Sequence, residues 1–423
     1  MTAQVGTRVY RVSPAQEWML TLQRLRGLPH LQLTRVIDVG RPETPDGVRD
    51  ACRNLAARQT ALRTRVVRRG GRFTQEIVPV DDVPIAESEC ADIADPVLAG
   101  LVAEERREPV DLRRAPARFR LVSTRRGPSL VVLTCHHALA DWWSMETAAG
   151  ELLSEMSGGG PAPAPVPFAE YADRLAAESG APDADGAYRY WSSHLSGAKP
   201  PALGPDLPAG HRGWTTDRYV ARTIAPASSV RSMAKSERVT VFAVLLAAFA
   251  KALHRLGGER DVVVGTQLAN RVRPELRHLM GCFTTTVLLR LPDAAEPLPA
   301  LSRSAQRALA GAYRHGQVDP RRLMRLPGLS SAWRATAPSV LFQFVPADVF
   351  GDDRDALPEP LATAARPGAG LPVDLHVAVS VTGGSVRCEV DFNGTVFERA
   401  TVARLVAALA AALRAGAEGD SHG

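Results

Sequence analysis

The sequence predicts a mixed α/β protein in two lobes of similar size. Three observations carry that prediction. Strand and helix signals alternate along the chain, a Gly/Pro-rich stretch interrupts them before the midpoint, and 423 residues with 45% apolar side chains are enough for more than one core.

The elements follow in order. Leu130–Cys135 is a nearly continuous apolar run, as expected of a strand buried on both faces. After Asp141, which is placed to cap a helix, WWSMETAAGELLSEM has helical spacing. Ser157–Pro167 (SGGGPAPAPVP) reads as a linker, and a short helical segment follows around Tyr171. A second soft stretch, Ser179–Gly186, sets a lobe boundary near residue 180, giving lobes of 1–180 and 181–423. Thr240–Leu256 reads as a strongly apolar helix and Asp261–Val264 as a short β-branched strand. Val377–Val381 and Val386–Phe392 read as strands around a Gly383–Gly384 turn. Arg399–Arg414 closes the chain as a helix, with Gly416–Gly423 as a frayed polar tail.

Composition removes several function classes. No run of about 18 apolar residues appears, so nothing is expected to span a membrane. The opening MTAQVGTRVYRVSP lacks the apolar core of a signal peptide, so a cytosolic protein is expected. The formal charge is +6, yet only Lys199, Lys235 and Lys251 among 51 basic residues are lysine. That is the mark of a coding bias rather than of a basic face, and no dense basic run points to nucleic acid. Cys52, Cys90, Cys135, Cys282 and Cys388 are odd in number and scattered, which argues against a disulfide framework or a zinc site.

One segment is dense in titratable groups: Cys135-His136-His137-Ala138-Leu139-Ala140-Asp141-Trp142-Trp143-Ser144, at the end of the buried strand. Adjacent strand residues point to opposite faces, so His136 and His137 are not expected to converge on one metal ion. The arrangement suits a single histidine available for proton transfer, or else a structural histidine pair.

This segment resembles the core motif of condensation domains of nonribosomal peptide synthetases, written HHxxxDG and here HHALADW. Further segments agree in the family's order. They are Ser13-Pro14-Ala15-Gln16, Arg58–Thr64 (RQTALRT), Tyr190–Trp191 with Leu195-Ser196-Gly197, Asp261–Thr266 with Asn270–Arg271, Met280–Phe283 and His315-Gly316-Gln317. The likeness runs from about Ser13 to Arg414.

The resemblance implies two chloramphenicol acetyltransferase-like lobes in a V-shaped pseudo-dimer around a tunnel. It implies acyl transfer from a carrier-protein phosphopantetheine thioester to an amine or hydroxyl of a small-molecule acceptor. No permanently bound cofactor and no metal are implied, and the protein would act as a monomer. His137 would be the catalytic histidine. His136, Asp141, Arg271 and Arg63 would be structural, with Asp141 paired to Arg271. Trp142, Trp143 and Ser144 would shape the tunnel or the oxyanion site, with the backbone N–H near Trp142 a donor. Gly281, Phe283 and Thr285 would belong to the substrate channel.

Departures from the family matter too. Trp142 replaces the motif glycine, leaving three readings: a ring turned into the core, a ring that narrows the tunnel, or a ring that blocks it and leaves a docking module. The family's Asn-Thr after Gly-x-Phe is Thr285–Thr286, and Trp18 stands where arginine is usual. The chain reads as free-standing or trimmed. An acyl-CoA-dependent acyltransferase and a non-catalytic carrier-docking domain are the alternative functions.

Overall fold

The computed structural model describes residues 8–25, 31–39, 44–92, 95–125, 127–159, 166–179, 184–198, 203–207, 216–326, 340–346 and 373–419. The chain divides into two compact units. Unit 1 takes Met1–Ala181 together with Ala269–Thr284, and unit 2 takes Pro182–Leu268, Thr285–Phe350 and Leu371–Gly423. Residues 269–284 therefore group with the first unit, whereas a linear cut at 180 places them in the second.

In unit 1, a four-stranded sheet has the order β2 (Gln32–Asp38), β7 (Gly127–His136), β6 (Ala117–Thr124), β5 (Ile85–Glu89). The expected buried strand is β7. From Leu130 to Cys135 it is fully buried, and its side chains alternate between two cores. Leu130 and Val132 meet Leu98 and Val102 of helix α3 (Pro96–Arg107), while Val131, Leu133 and Cys135 join the larger core. That larger core holds apolar residues of α2 (Pro45–Arg58) and α4 (Trp142–Met156). This two-sided burial explains why the run has no polar alternation. A second sheet is β1 (Val9–Arg11), β4 (Arg72–Ile77), β3 (Thr64–Arg69), with α1 (Pro14–Leu25) following β1 and α5 (Phe168–Glu178) tied to it by the Arg11–Asp173 ion pair.

Helix starts follow from local chemistry. Asp141 caps α4, its carboxylate accepting from the Ser144 N–H at 2.8 Å. Ser13 and Gln16 form a reciprocal capping box on α1. Ser13 Oγ accepts the Gln16 N–H at 3.2 Å, and Gln16 Oε1 accepts the Ser13 N–H at 2.8 Å.

Unit 2 is built on one six-stranded sheet. Its order is β10 (Thr285–Leu291), β9 (Val262–Leu268), β11 (Val340–Pro346), β12 (Leu375–Thr382), β13 (Ser385–Asn393), β8 (Thr216–Pro226). Helices α6 (Ala184–His194), α7 (Ala227–Ser236), α8 (Val241–Gly257), α9 (Leu298–His315), the single turn α10 (Pro320–Leu323) and α11 (Arg399–Gly419) complete it. The apolar face of α8 meets the sheet through Phe249 stacked on Phe342 at 4.5 Å. Gly383 at φ +54° makes the β12–β13 hairpin turn.

Two soft stretches are more ordered than the sequence suggested. Ala184–Gly186 form the first turn of α6, and α11 continues through Gly419. In the 157–167 linker, Ser157–Gly159 and the residues 166–167 form neither helix nor strand, and 160–165 lie outside the described residues.

Candidate functional site

Strand β7 ends at His136, and α4 begins six residues later at Trp142. The two histidines at this turn are in opposite chemical states. His136 has both ring nitrogens occupied: Nδ1 accepts the Ala138 N–H at 3.1 Å, and Nε2 meets Gln23 Oε1 at 3.2 Å. The Ala138 bond requires a lone pair on Nδ1, so the proton sits on Nε2 and is donated to Gln23. Burial, with a lesser contribution from His137, pulls its pKa down to about 3.

His137 is reversed. Its Nδ1 lies 2.8 Å from the Ala140 carbonyl, which can only accept, so Nδ1 carries the proton. Nε2 keeps its lone pair and bonds to none of the described residues. The residue is buried, 6% exposed. Burial lowers its pKa, opposed by the Ala140 bond, so the ring is neutral at physiological pH. An imidazole in that tautomer can accept a proton at Nε2 and shed the resulting charge partly onto a carbonyl.

Asp141 does not turn its carboxylate to this ring. Oδ1 accepts from the Ser144 N–H (2.8 Å), Ser144 Oγ (2.6 Å) and Arg271 Nη2 (2.8 Å), and Oδ2 accepts from the Phe283 N–H at 3.2 Å. Its own N–H donates to the Gly281 carbonyl at 3.1 Å. Arg271 is equally committed. Its Nη1 donates to the Leu279 carbonyl at 2.7 Å, and its plane lies 4.2 Å from the Phe283 ring centre. Asp141 thus clamps the 269–284 segment to the start of α4.

The remaining residues named from the sequence divide by place. Ser144 is fully buried, its hydroxyl shared among Asp141, Gly281 and Arg271. This makes it part of the clamp. The Trp142 N–H, at the first position of α4, bonds to no described residue and is a donor of the kind an oxyanion needs. The Trp142 indole packs against the unit 1 core and is half-buried. Trp143 anchors its Nε1–H on the Arg277 carbonyl at 2.9 Å.

Gly281 and Phe283, named for a channel, are closely packed in unit 1. A Cβ on Gly281 would fall 2.1 Å from the Phe168 ring. Phe283 is 3% exposed, meeting Phe168 edge-to-face at 5.1 Å and Tyr171 at a tilt at 5.2 Å. Arg63 lies elsewhere in unit 1, its guanidinium on the carbonyls of Ala56, Ala57 and Val78. Thr285 opens β10 in unit 2, paired in register with Leu268.

Sequence reasoning gave no individual role to Gln16, Gln23 or Gln59. Gln59 is fully buried; its amide donates to Glu151 and the His278 carbonyl and accepts the Met280 N–H, holding the same 269–284 segment. Its polar neighbours Arg58 and Thr60 gave no local sign that this amide would be buried, and a buried amide demands partners. In unit 2 the Tyr190–Trp191 and His315–Gly316 motifs meet: Trp191 Nε1–H donates to the His315 carbonyl at 2.7 Å, and the Tyr190 and His315 rings stack at 4.4 Å.

Among the described residues, no three metal-ligating side chains converge. Cys52, Cys135, Cys282 and Cys388 are buried free thiols, those of Cys52, Cys135 and Cys388 pushed up to about 12 by burial and so chemically quiet. No single described helix is long and apolar enough to cross a membrane.

The class that emerges is a mixed α/β fold in which one neutral imidazole, next to a clamped carboxylate, has a nitrogen free to take a proton. A family model described as Condensation domain matches residues 7–421, and the chain belongs to that family, whose members in nonribosomal peptide synthesis are amide-forming transferases. It is 30% identical to phosphinothricin tripeptide synthetase PhsC of Streptomyces viridochromogenes, over 93% of this chain and 38% of that protein. The chain therefore spans well under half of that relative. Among solved structures, SgcC5 from Streptomyces globisporus matches with a TM-score of 0.75 at 22% identity, covering 96% of this chain and 98% of that one. The first condensation domain of the calcium-dependent antibiotic synthetase matches with a TM-score of 0.74 at 18% identity, covering 97% and 98%. These likenesses show the same fold.

Proposed function

We propose that the chain joins an acyl group, delivered as a carrier-protein phosphopantetheine thioester, to the amine or hydroxyl of a small acceptor, with His137 as the catalytic base. One observation carries this reading: the Nδ1–H to Ala140 bond leaves Nε2 as a neutral acceptor. The acceptor arrives as a free amine or alcohol and hydrogen-bonds to Nε2. As its nitrogen or oxygen attacks the thioester carbonyl, Nε2 takes the proton. The tetrahedral oxyanion is met by backbone donors, with the free Trp142 N–H the best placed in sequence. Collapse breaks the C–S bond, and the histidine returns its proton to the departing thiolate. A thioester is already activated, so positioning is most of the work, and a placed base adds about 10²–10⁴-fold.

Asp141, Arg271, Ser144 and Gly281 hold the scaffold rather than touch the substrate. The two units correspond to the two acetyltransferase-like lobes, with 269–284 lent to the first.

The test uses His137→Ala, carrier proteins loaded with a panel of aminoacyl groups, and free amino acids and simple alcohols as acceptors, read by mass spectrometry. Product formation is expected to stop while circular dichroism and the melting temperature stay those of the parent. Undiminished turnover in the variant would remove His137 from the mechanism. Equal rates with the corresponding CoA thioesters would remove the carrier protein.

A further inference from the structure

We infer that Gln16 and Gln23 of α1 are positioning residues that set the tautomer of His137, an inference that rests on the acid–base role proposed for that ring. They stand seven residues apart, two helical turns, and so share one face of α1. Both reach the turn after β7. Gln16 Nε2 donates to the Ala138 carbonyl at 2.9 Å. Gln23 Oε1 accepts from His136 Nε2, which obliges His136 Nδ1 to accept the Ala138 N–H.

Both peptide groups of Ala138, the residue directly after His137, are therefore held from α1, one directly and one through His136. The N–H of His137 itself is held by the Leu31 carbonyl at 2.9 Å, and the Leu139 N–H by the His136 carbonyl. With 136–139 fixed in this way, the Ala140 carbonyl is presented to His137 Nδ1. Gln16 is fully buried, and its amide oxygen is used up by the capping box, so its amide nitrogen is divided between Ala138 and Gln75. Loss of the brace lets the turn relax, the Ala140 bond weakens, and the proton spreads from Nδ1 to Nε2. A ring protonated on Nε2 is a donor there and no longer a base.

The test measures Gln16→Met and Gln23→Met for turnover with the loaded-carrier panel, for melting temperature, and by nitrogen-15 NMR of labelled histidine. In both variants kcat is expected to fall by about 10- to 100-fold, with KM for the carrier unchanged. The His137 Nε2 resonance should move from the unprotonated towards the protonated position. Neither substitution should add to the loss in a His137→Ala background. Should Gln16→Met fold poorly, Gln16→Glu keeps an oxygen for the capping box, and Gln23→Met removes only one bond. Parental kcat, or a loss with the His137 resonances unmoved, overturns the inference. Because tautomer is read separately from turnover, an active His137→Ala would sink the acid–base reading without deciding this one.

Discussion

Two neighbouring histidines with identical side chains hold their protons on different nitrogens, and the partners alone decide which ring is inert. The same burial that makes His137 a neutral base also fixes where its pH dependence lies. Its pKa is lowered from 6.5, so protonation removes the base only below that value. The rate is expected to be level across neutral pH and to fall on the acid side, with its midpoint under about 6.5. An acid limb centred above that would mean another group controls the reaction. Asp141 gives a different kind of prediction. Replaced by alanine, it leaves the Arg271 guanidinium buried without its counter-charge, and urea denaturation should show a loss of about 3–5 kcal/mol. Asp141→Asn, which keeps an acceptor oxygen for the α4 cap, should lose less. These residues were visible in the sequence as a motif. The Asp141–Arg271 pair came with the family resemblance rather than from spacing, and it is present at 2.8 Å. The further bond of that carboxylate to the Phe283 N–H was not legible, because spacing says nothing of a backbone donor 142 residues away.

At the scale of elements, glycines show how much depends on what a helix or turn faces. Gly150 sits on the exposed side of α4, where an added methyl group would meet nothing within 4 Å. Gly150→Ala should therefore raise stability by about 0.5–1 kcal/mol through the unfolded chain and helix preference. Gly281→Ala should do the reverse, costing about 1–3 kcal/mol because the new methyl meets the Phe168 ring. Thermal melts of the two variants, run side by side, check both signs. The elements best read in advance were those with local signals. Strand β7 had its apolar run, α4 its aspartate cap, α8 its apolar face and the β12–β13 hairpin its Gly-Gly turn. Ala184–Gly186 and the last turn of α11 read as loose in the sequence because Gly186, Gly416 and Gly419 disfavour helix locally, whereas the rest of each helix supplies the cooperative hydrogen bonds that carry them.

Across the whole molecule, burial of neutral imidazoles predicts a shared response to acid. His136, His137, His194 and His376 all have pKa values lowered by desolvation, that of His136 to about 3. The unfolded chain binds protons at these sites below its own value of 6.5, while the folded chain resists them. Stability is thus fully present above about 6.5 and is lost as pH falls, each histidine contributing up to about 1.4 kcal/mol per pH unit until its folded pKa is reached. Urea midpoints at about pH 7.5 and about pH 5 should differ in that direction, and a midpoint that rises on acidification would contradict it. The two-lobed mixed α/β character was legible from alternation of strand and helix signals. The one feature a linear reading could not supply is that residues 269–284, strung between β9 and β10, are built into the other unit. A severed fragment ending at residue 181 would accordingly be an incomplete protein, its Asp141 stripped of the guanidinium that neutralises it and its Phe168 ring uncovered. Supplying the missing stretch as a synthetic peptide should mend it, so that complementation in trans, scored by the fragment's regained protease resistance, becomes an assay for a clasp that normally comes built into the chain.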